Sequence, residues 1–401
     1  MADLSHRKAK AKIQILNKDG TPKAKTKINV NQINHEFLFG CGAFHTLDYV
    51  DGKYDDDRLN KWLNLFNYGT LPFYWGTYEP QEGKPISDVM MRAAKFLKEK
   101  DVKVKGHPLC WHTVCAPWLM KYDNETIFNK QIERIHRDVG LFKGVIDMWD
   151  VINEVVIMPI YDKYDNAVTR ICKEKSRVGL VKEVFKAAYE TNPDGTFLIN
   201  DFNLSTNYEI LIDGCLNAGV PINTIGLQSH QHQGIWGKQK QDETLERFEH
   251  FGLPIHFTEN TIVAGPLVAP EITDLQDAHY EDDASTPEYE EIQADALEQQ
   301  YRNLFENHPL VTAITNWDYT DGAWLNAPSG LIRRDGSLKP AYTRLHKLIK
   351  EEWHTELDLI TDENGFVEVE GFKGKYELSD GISKAEFTLK SGLDSSVSIK
   401  L

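Results

Sequence analysis

Two apolar runs of the chain end in glutamate, 105 positions apart. VIDMWDVINE at 145–154 closes on Asn153 and Glu154, and LPIHFTE at 253–259 closes on Glu259. Branched and aromatic residues that stop at a carboxylate read as buried strands whose tips deliver an acid to a site. Two carboxyl groups facing one another across a pocket suit cleavage of a glycosidic bond. One, protonated, gives its proton to the leaving oxygen; the other, ionised, attacks the anomeric carbon or activates water. Attack through a covalent intermediate needs a separation of about 5–5.5 Å, which opposite sides of a barrel mouth can supply. Asn153 is placed to donate to a sugar hydroxyl beside the reacting carbon, and His230 to keep Glu259 ionised through a hydrogen bond. Histidines and carboxylates also bind metals, but the helical HxxxH spacing is absent, and neither a metal nor a cofactor is expected.

The elements that must position these groups alternate in type along the chain. Strands are expected at 37–42, 69–74, 102–107, 145–154, 196–200, 224–230, 254–259 and 311–316. Helical periodicity lies between them, as at 127–139, where Ile132, Ile135 and Val139 share a face. The helix expected at 292–305 places Ile292, Ala296, Leu297, Tyr301, Leu304 and Phe305 inward, and a last helix at 341–353 closes the set. About eight strand–helix alternations without an internal repeat make an α/β fold, a (β/α)8 TIM barrel spanning 36–355. Residues 1–35 and 356–401 return to short alternating segments too small to hold a core alone, so the two termini are expected to form one accessory β-sandwich. The stretch after Glu154 reads as a polar excursion, and the acidic, proline-containing 260–287 as a solvated loop. One rim of the barrel then collects His107, Trp111, Asn153, Glu154, Asn200, Asp201, Gln228, His230, Glu259 and Trp317.

Composition removes several function classes. A net charge of -16 leaves no broad basic face for a nucleic-acid backbone. No run approaches 18 apolar residues, so no membrane span is expected, and MADLSHRKAK shows no signal peptide. Cys41, Cys110, Cys115, Cys172 and Cys215 form no disulfide framework and read as free buried thiols. The 9 Trp and 16 Tyr serve core packing or stacking on the apolar faces of sugar rings. Oligomeric state is not legible.

Six motifs carry a family resemblance over 37–353: GHPLCWH at 106–112, WDVINE at 149–154, INDFN at 199–203, GLQSHQH at 226–232, HFTEN at 256–260 and SGLIRRDGSLKPAY at 329–342. The chain resembles glycoside hydrolase family 10, the endo-β-1,4-xylanase family with a (β/α)8 fold and a retaining mechanism. The resemblance implies Glu154 as acid/base and Glu259 as nucleophile. It implies His107, Trp111, Asn153, Gln228 and His230 around the reacting sugar, with Trp317 and Trp324 as aromatic walls. It further implies a polysaccharide or oligosaccharide substrate, such as xylan or decorated xylan, and a secreted or cell-envelope setting, with cytoplasmic processing of oligosaccharides as the alternative. Another β-glycan, or a carbohydrate-binding barrel without catalysis, stays open as an alternative.

The departures fall near the sugar. The family has a Glu-Asn pair and then Lys-Trp before Glu-Pro; here Thr70 and Leu71 stand at the first pair and Tyr74 at the lysine, while Trp75, Glu79 and Pro80 match. Loss of these polar groups is expected to alter the subsites on the non-reducing side, with Tyr74 contributing a stacking face. Phe202 replaces a common tyrosine, and Asn260-Thr261 replaces Leu-Asp. WDYTDGAW is one residue shorter than the usual spacing between its tryptophans.

Overall fold

The computed structural model describes residues 3–392 and 397–401. Eight parallel strands close into a barrel: β3 (Leu38–Gly42), β4 (Tyr68–Pro72), β5 (Lys103–His107), β6 (Met148–Asn153), β7 (Thr196–Asp201), β8 (Thr224–His230), β9 (Ile255–Thr261) and β10 (Val311–Asn316), with β10 paired back to β3. Helices surround them, and β7, β8 and β9 are buried along nearly their whole length, as expected where one face meets the barrel interior and the other the helices. Trp149 of β6 packs so closely against β5 that a Cβ on Gly106 would lie 2.1 Å from its ring. The glycine of GHPLCWH is thus a packing requirement. Among the described residues no helix is long and apolar enough to cross a membrane.

The terminal segments join in two sheets. In one, β1 (Lys8–Leu16) lies between β12 (Phe366–Phe372) and β15 (Val397–Lys400). In the other, β2 (Lys27–His35) lies between β11 (Glu356–Ile360) and β13 (Gly374–Ser379), with β14 (Lys384–Leu389) outermost. Ile13 and Ile15 from the first sheet and Ile28, Val30, Tyr376 and Leu378 from the second share one core. This sandwich sits at the N-terminal ends of the barrel strands. Asn34 donates to the carbonyl of Asp101 (2.8 Å), just before β5, and accepts from Asn67 (2.8 Å), just before β4. Arg7 donates to the carbonyls of Phe305 (2.8 Å) and His308 (2.9 Å) and lies over the ring of Phe37.

Several sequence expectations need correction. The strand that leads to Glu154 runs only from Met148 to Asn153; residues 145–147 lie before it, where the Gly144 N–H donates to Asp147 (2.8 Å). The polar excursion after Glu154 contains a helix, Ala167–Lys175, capped by the Asn166 side chain accepting from the Thr169 N–H (2.8 Å). Its short apolar set was masked by the polar residues on both sides. Residues 260–287 are not merely solvated: β9 runs on to Thr261, and Val263, Val268, Ala278 and Tyr280 bury against Ala327. Ile292 is half-exposed rather than inward, on a helix that starts at Pro287. The closing helix is Pro340–Lys347, followed by a wider turn at Leu348–Glu352. All five cysteines are free; four are buried and Cys115 is partly so.

Candidate active site

A cavity of about 1230 Å³ opens at the C-terminal ends of the barrel strands. Tyr74, His107, Trp111, Glu154, Gln228, His230, Glu259, Trp317 and Trp324 all line it. Asn153 lies just beneath, buried, and supports the floor. Thr70 and Leu71 do not line it. Both are fully buried in the barrel wall, so of the three departures near the non-reducing side only Tyr74 reaches the cleft.

The two glutamates are connected through three amides. Gln228 donates towards Glu154 Oε1 (3.3 Å) and Asn153 Oδ1 (3.1 Å), and Asn153 donates towards the same Glu154 oxygen (3.3 Å). Asn200 Nδ2 donates to Asn153 Oδ1 and to Glu259 Oε1, each at 2.7 Å, while its own Oδ1 accepts from the Thr258 hydroxyl (2.6 Å). No space is left around it, since a Cβ on Gly226 would fall 2.4 Å from Asn200 Oδ1. Glu154 itself has a φ of 57°, with its N–H donating to the Asn200 carbonyl (2.8 Å). That region costs a non-glycine residue about 1–3 kcal/mol and persists only where surroundings impose it. Here it turns the carboxyl off the strand direction towards Trp111, whose indole donates to Glu154 Oε2 (2.8 Å).

Surroundings drive the two carboxyls apart in proton affinity. Burial, then the Glu259 charge, push Glu154 up to about 8 against the Trp111 hydrogen bond. Burial raises Glu259 too, but His107 and His230 outweigh it and hold Glu259 below the ordinary carboxylate range. His230 Nε2 lies 3.2 Å from Glu259 Oε2, and its Nδ1 is 2.9 Å from the Thr261 hydroxyl. On the other side His107 Nε2 stands 3.9 Å from Glu259 Oε1, with Nδ1 on Asp150 Oδ2 (2.7 Å). Asp150 in turn pairs with the fully buried Lys105 (2.6 Å). One carboxyl therefore holds its proton near neutrality while the other stays ionised, the pairing an acid and a nucleophile require.

Aromatic rings wall the cleft. Trp324 lies 4.7 Å from His230, and Trp317 5.3 Å from His107, between ring centroids. Tyr74 packs 5.4 Å from Trp111 and edge-on to His107 at 5.6 Å. The SGLIRRDGSLKPAY segment secures the loop that bears the tryptophans. Ser329 donates to buried Asp318 (2.5 Å), the Gly330 N–H to Asp321 (2.8 Å), and the fully buried Lys339 pairs with Asp321 (3.0 Å).

Sequence reasoning placed the lining residues and missed their supports. Lys105 looked like one of two lysines in a strand, and no local signal marked it as buried. Arg134, on the helix Asn124–Phe142, is buried and donates to the carbonyls of Leu109 (2.5 Å) and Phe73, bracing the loops that carry Tyr74 and Trp111. Its position on the buried face beside Gln131 and Asp138 was the available clue. Asn200 was flagged only as a polar rim residue.

Residues 73–348 match the profile of Glycosyl hydrolase family 10. The chain belongs to that family. Among curated relatives, this family 10 chain is 25% identical over 400 residues to an anti-sigma-I factor of Acetivibrio thermocellus, covering 96% of the chain but 46% of that protein. It is 27% identical over 300 residues to an endo-1,4-beta-xylanase A of Caldicellulosiruptor saccharolyticus, covering 71% of the chain and 82% of the relative. The fold matches that of a solved endoxylanase from a sugarcane soil metagenome with a TM-score of 0.67 at 23% identity, over 78% of the chain and 97% of that structure.

Proposed function

We propose that this protein is a retaining endo-β-1,4-xylanase in which Glu154 is the acid/base and Glu259 the nucleophile. The observation that carries this reading is the amide chain from Glu154 through Asn153 and Asn200 to Glu259, set between opposite proton affinities. Glu259 attacks the anomeric carbon, its negative charge favoured by His107 and His230. Glu154 gives its proton to the departing glycosidic oxygen, then takes one from water as that water opens the glycosyl-enzyme. The fall in charge on Glu259 once it is esterified removes the second-largest influence that raises Glu154, so its proton affinity drops as it changes role. His107, Trp111, Gln228 and His230 position the reacting sugar, Asn153 holds Glu154 from beneath, and Tyr74, Trp317 and Trp324 offer faces to the chain.

The test compares Glu154→Gln with wild type on xylan and on an aryl xyloside whose leaving group departs without a proton. Loss on xylan with glycosylation retained on the aryl substrate supports the assignment; an equal loss on both overturns it. Wild-type reducing-sugar release on xylan, arabinoxylan, β-glucan and mannan distinguishes the xylanase from an enzyme for another glycan. No release on any of them points to a binding barrel.

A further inference from the structure

Two loops far apart in the chain meet at one end of the cleft. One follows β6 and carries Ile160, Tyr161, Asp162 and Lys163; the other follows β9 and carries Thr273–Asp277, and both line the same cavity as the glutamates. Lys163 Nζ joins them, 2.7 Å from Asp274 Oδ2 and 2.8 Å from Asp277 Oδ1. Among the described residues lining the cavity, Lys163 is the only lysine or arginine. With Asp162 beside it, this end of the cleft carries one cation against three carboxylates.

We propose that the Lys163–Asp274–Asp277 clasp makes this end of the cleft select against glycan chains bearing a uronic acid branch, in favour of neutral ones. The inference rests on the proposed glycanase reading and names the substrate class within it. A chain reacting at Glu154 and Glu259 must extend along the cleft, and a branch at this end meets the clasp. A free lysine there would receive a carboxylate. This one is occupied twice over, and the group presents net negative charge.

Magnitude decides between a mechanical and an electrostatic role. An ion pair this exposed is too weak to hold two loops rigid. Its charge nevertheless acts on any ion within about 8–10 Å at ordinary ionic strength. Two unit charges at about 7 Å in water together change the affinity for a charged branch by about sevenfold before screening, and by about fourfold at 20 mM salt.

The experiment measures kcat/KM on xylo-oligosaccharides of equal backbone length, plain and with one uronic acid branch, in three proteins. These are wild type, Lys163→Met and the double variant Asp274→Asn/Asp277→Asn. The expected readout is the decorated-to-plain ratio, below one in wild type, lower again in Lys163→Met, and about fourfold higher than wild type in the double variant at 20 mM salt. The spread should shrink as salt rises from 20 mM to 500 mM, on the order of the fall in screening length. A ratio that is the same in all three proteins, or a ratio that falls in the double variant, overturns the proposal while leaving the glycanase reading intact. Loosened loops alone would move both substrates together and leave the ratio fixed. Wild type that cleaves neither oligosaccharide overturns both readings.

Discussion

Asn200 places its amide nitrogen 2.7 Å from both Asn153 Oδ1 and Glu259 Oε1, so a single side chain ties the base of one carboxyl to the other. Each of its two N–H groups has its own acceptor, and the Thr258 hydroxyl fixes which way the amide points. Asn200→Ala removes a hydrogen bond to an ionised carboxylate, worth about 1.5–3 kcal/mol, or about 10–150-fold in rate if it is fully expressed in the transition state. We expect kcat/KM to fall within that range, with the loss mainly in kcat. Asn200→Asp should fall further, because a second carboxylate against Glu259 favours its protonated form. Steady-state kinetics beside a melting curve checks this, since a loss traced to misfolding would appear in both.

The rate should depend on pH as a bell. Glu259 is held below the ordinary carboxylate range, so the acid limb lies below about 4.3, the value of a free glutamate. Glu154 is pushed up to about 8 by burial and then by Glu259, so the alkaline limb falls as its proton leaves near that value. Glu154→Gln should abolish the alkaline limb on an activated aryl substrate. A profile of kcat/KM from pH 3 to 10 reads both limbs.

Three buried acids should stabilise the fold in the direction opposite to an ordinary salt-bridged carboxylate. Burial first pushes Asp201 up to about 7, Asp318 up to about 7 and Glu154 up to about 8. These groups bind protons more tightly folded than unfolded. Their contribution is present below the unfolded carboxyl values and is lost as pH rises towards 7–8, since unfolding then releases protons. Asp150 and Glu259, depressed by their cationic and histidine neighbours, act the other way and lose their contribution only in acid. The histidines His35, His45, His112, His232 and His256, pushed down by burial, also act the other way, losing their contribution as pH falls below about 6.5. The acid contribution is therefore read as a difference: on going from pH 5.5 to pH 8.5 in denaturant unfolding, wild type should lose more stability, or gain less, than Asp318→Asn does.

Tyr74→Lys tests the one of the three non-reducing-side departures that reaches the cleft. An ammonium beside Trp111 and His107 can donate to a sugar hydroxyl, which should lower KM on unbranched xylo-oligosaccharides. The same charge favours ionised Glu154 and should move the alkaline limb to lower pH. Kinetics on plain substrates at several pH values separates the two effects. An unchanged KM would mean that this position does not contact the chain.

How far the sequence carried the account depended on what each residue's position encodes. Strand order and the glutamates at strand tips were legible because period and apolar runs report burial directly. Motif position, by contrast, says nothing about exposure: Thr70 and Leu71 occupy recognisable places yet are buried within the barrel wall and do not line the cleft. Lys105 and Arg134 were hidden because a buried cation looks like any surface one until its partners, Asp150 and the carbonyls of Leu109 and Phe73, are brought in by the fold. The Lys163 clasp was unreadable for the same reason, its partners being 111 and 114 residues away.

Truncation after Trp353 should cost stability and spare chemistry. It removes β11–β15 and leaves Ile13, Ile15, Ile28 and Val30, all fully buried, without cover. At about 1.5–3 kcal/mol per buried side chain, the loss is comparable with the whole stability of a domain, about 5–15 kcal/mol. We expect a lower melting temperature and poor soluble yield. The soluble fraction should keep kcat on an aryl substrate within about twofold, because the sandwich lies at the barrel end opposite the cleft.

On the proposed mechanism Glu259 attacks carbon directly while Glu154 handles the proton. Proton NMR of the anomeric signals during the first minutes of xylo-oligosaccharide hydrolysis tests it most directly. Double displacement releases the new reducing end as the β anomer, which then equilibrates slowly to α. The β anomer is expected to appear first. An α anomer formed first would mean a single displacement by water, and Glu259 could not be the nucleophile.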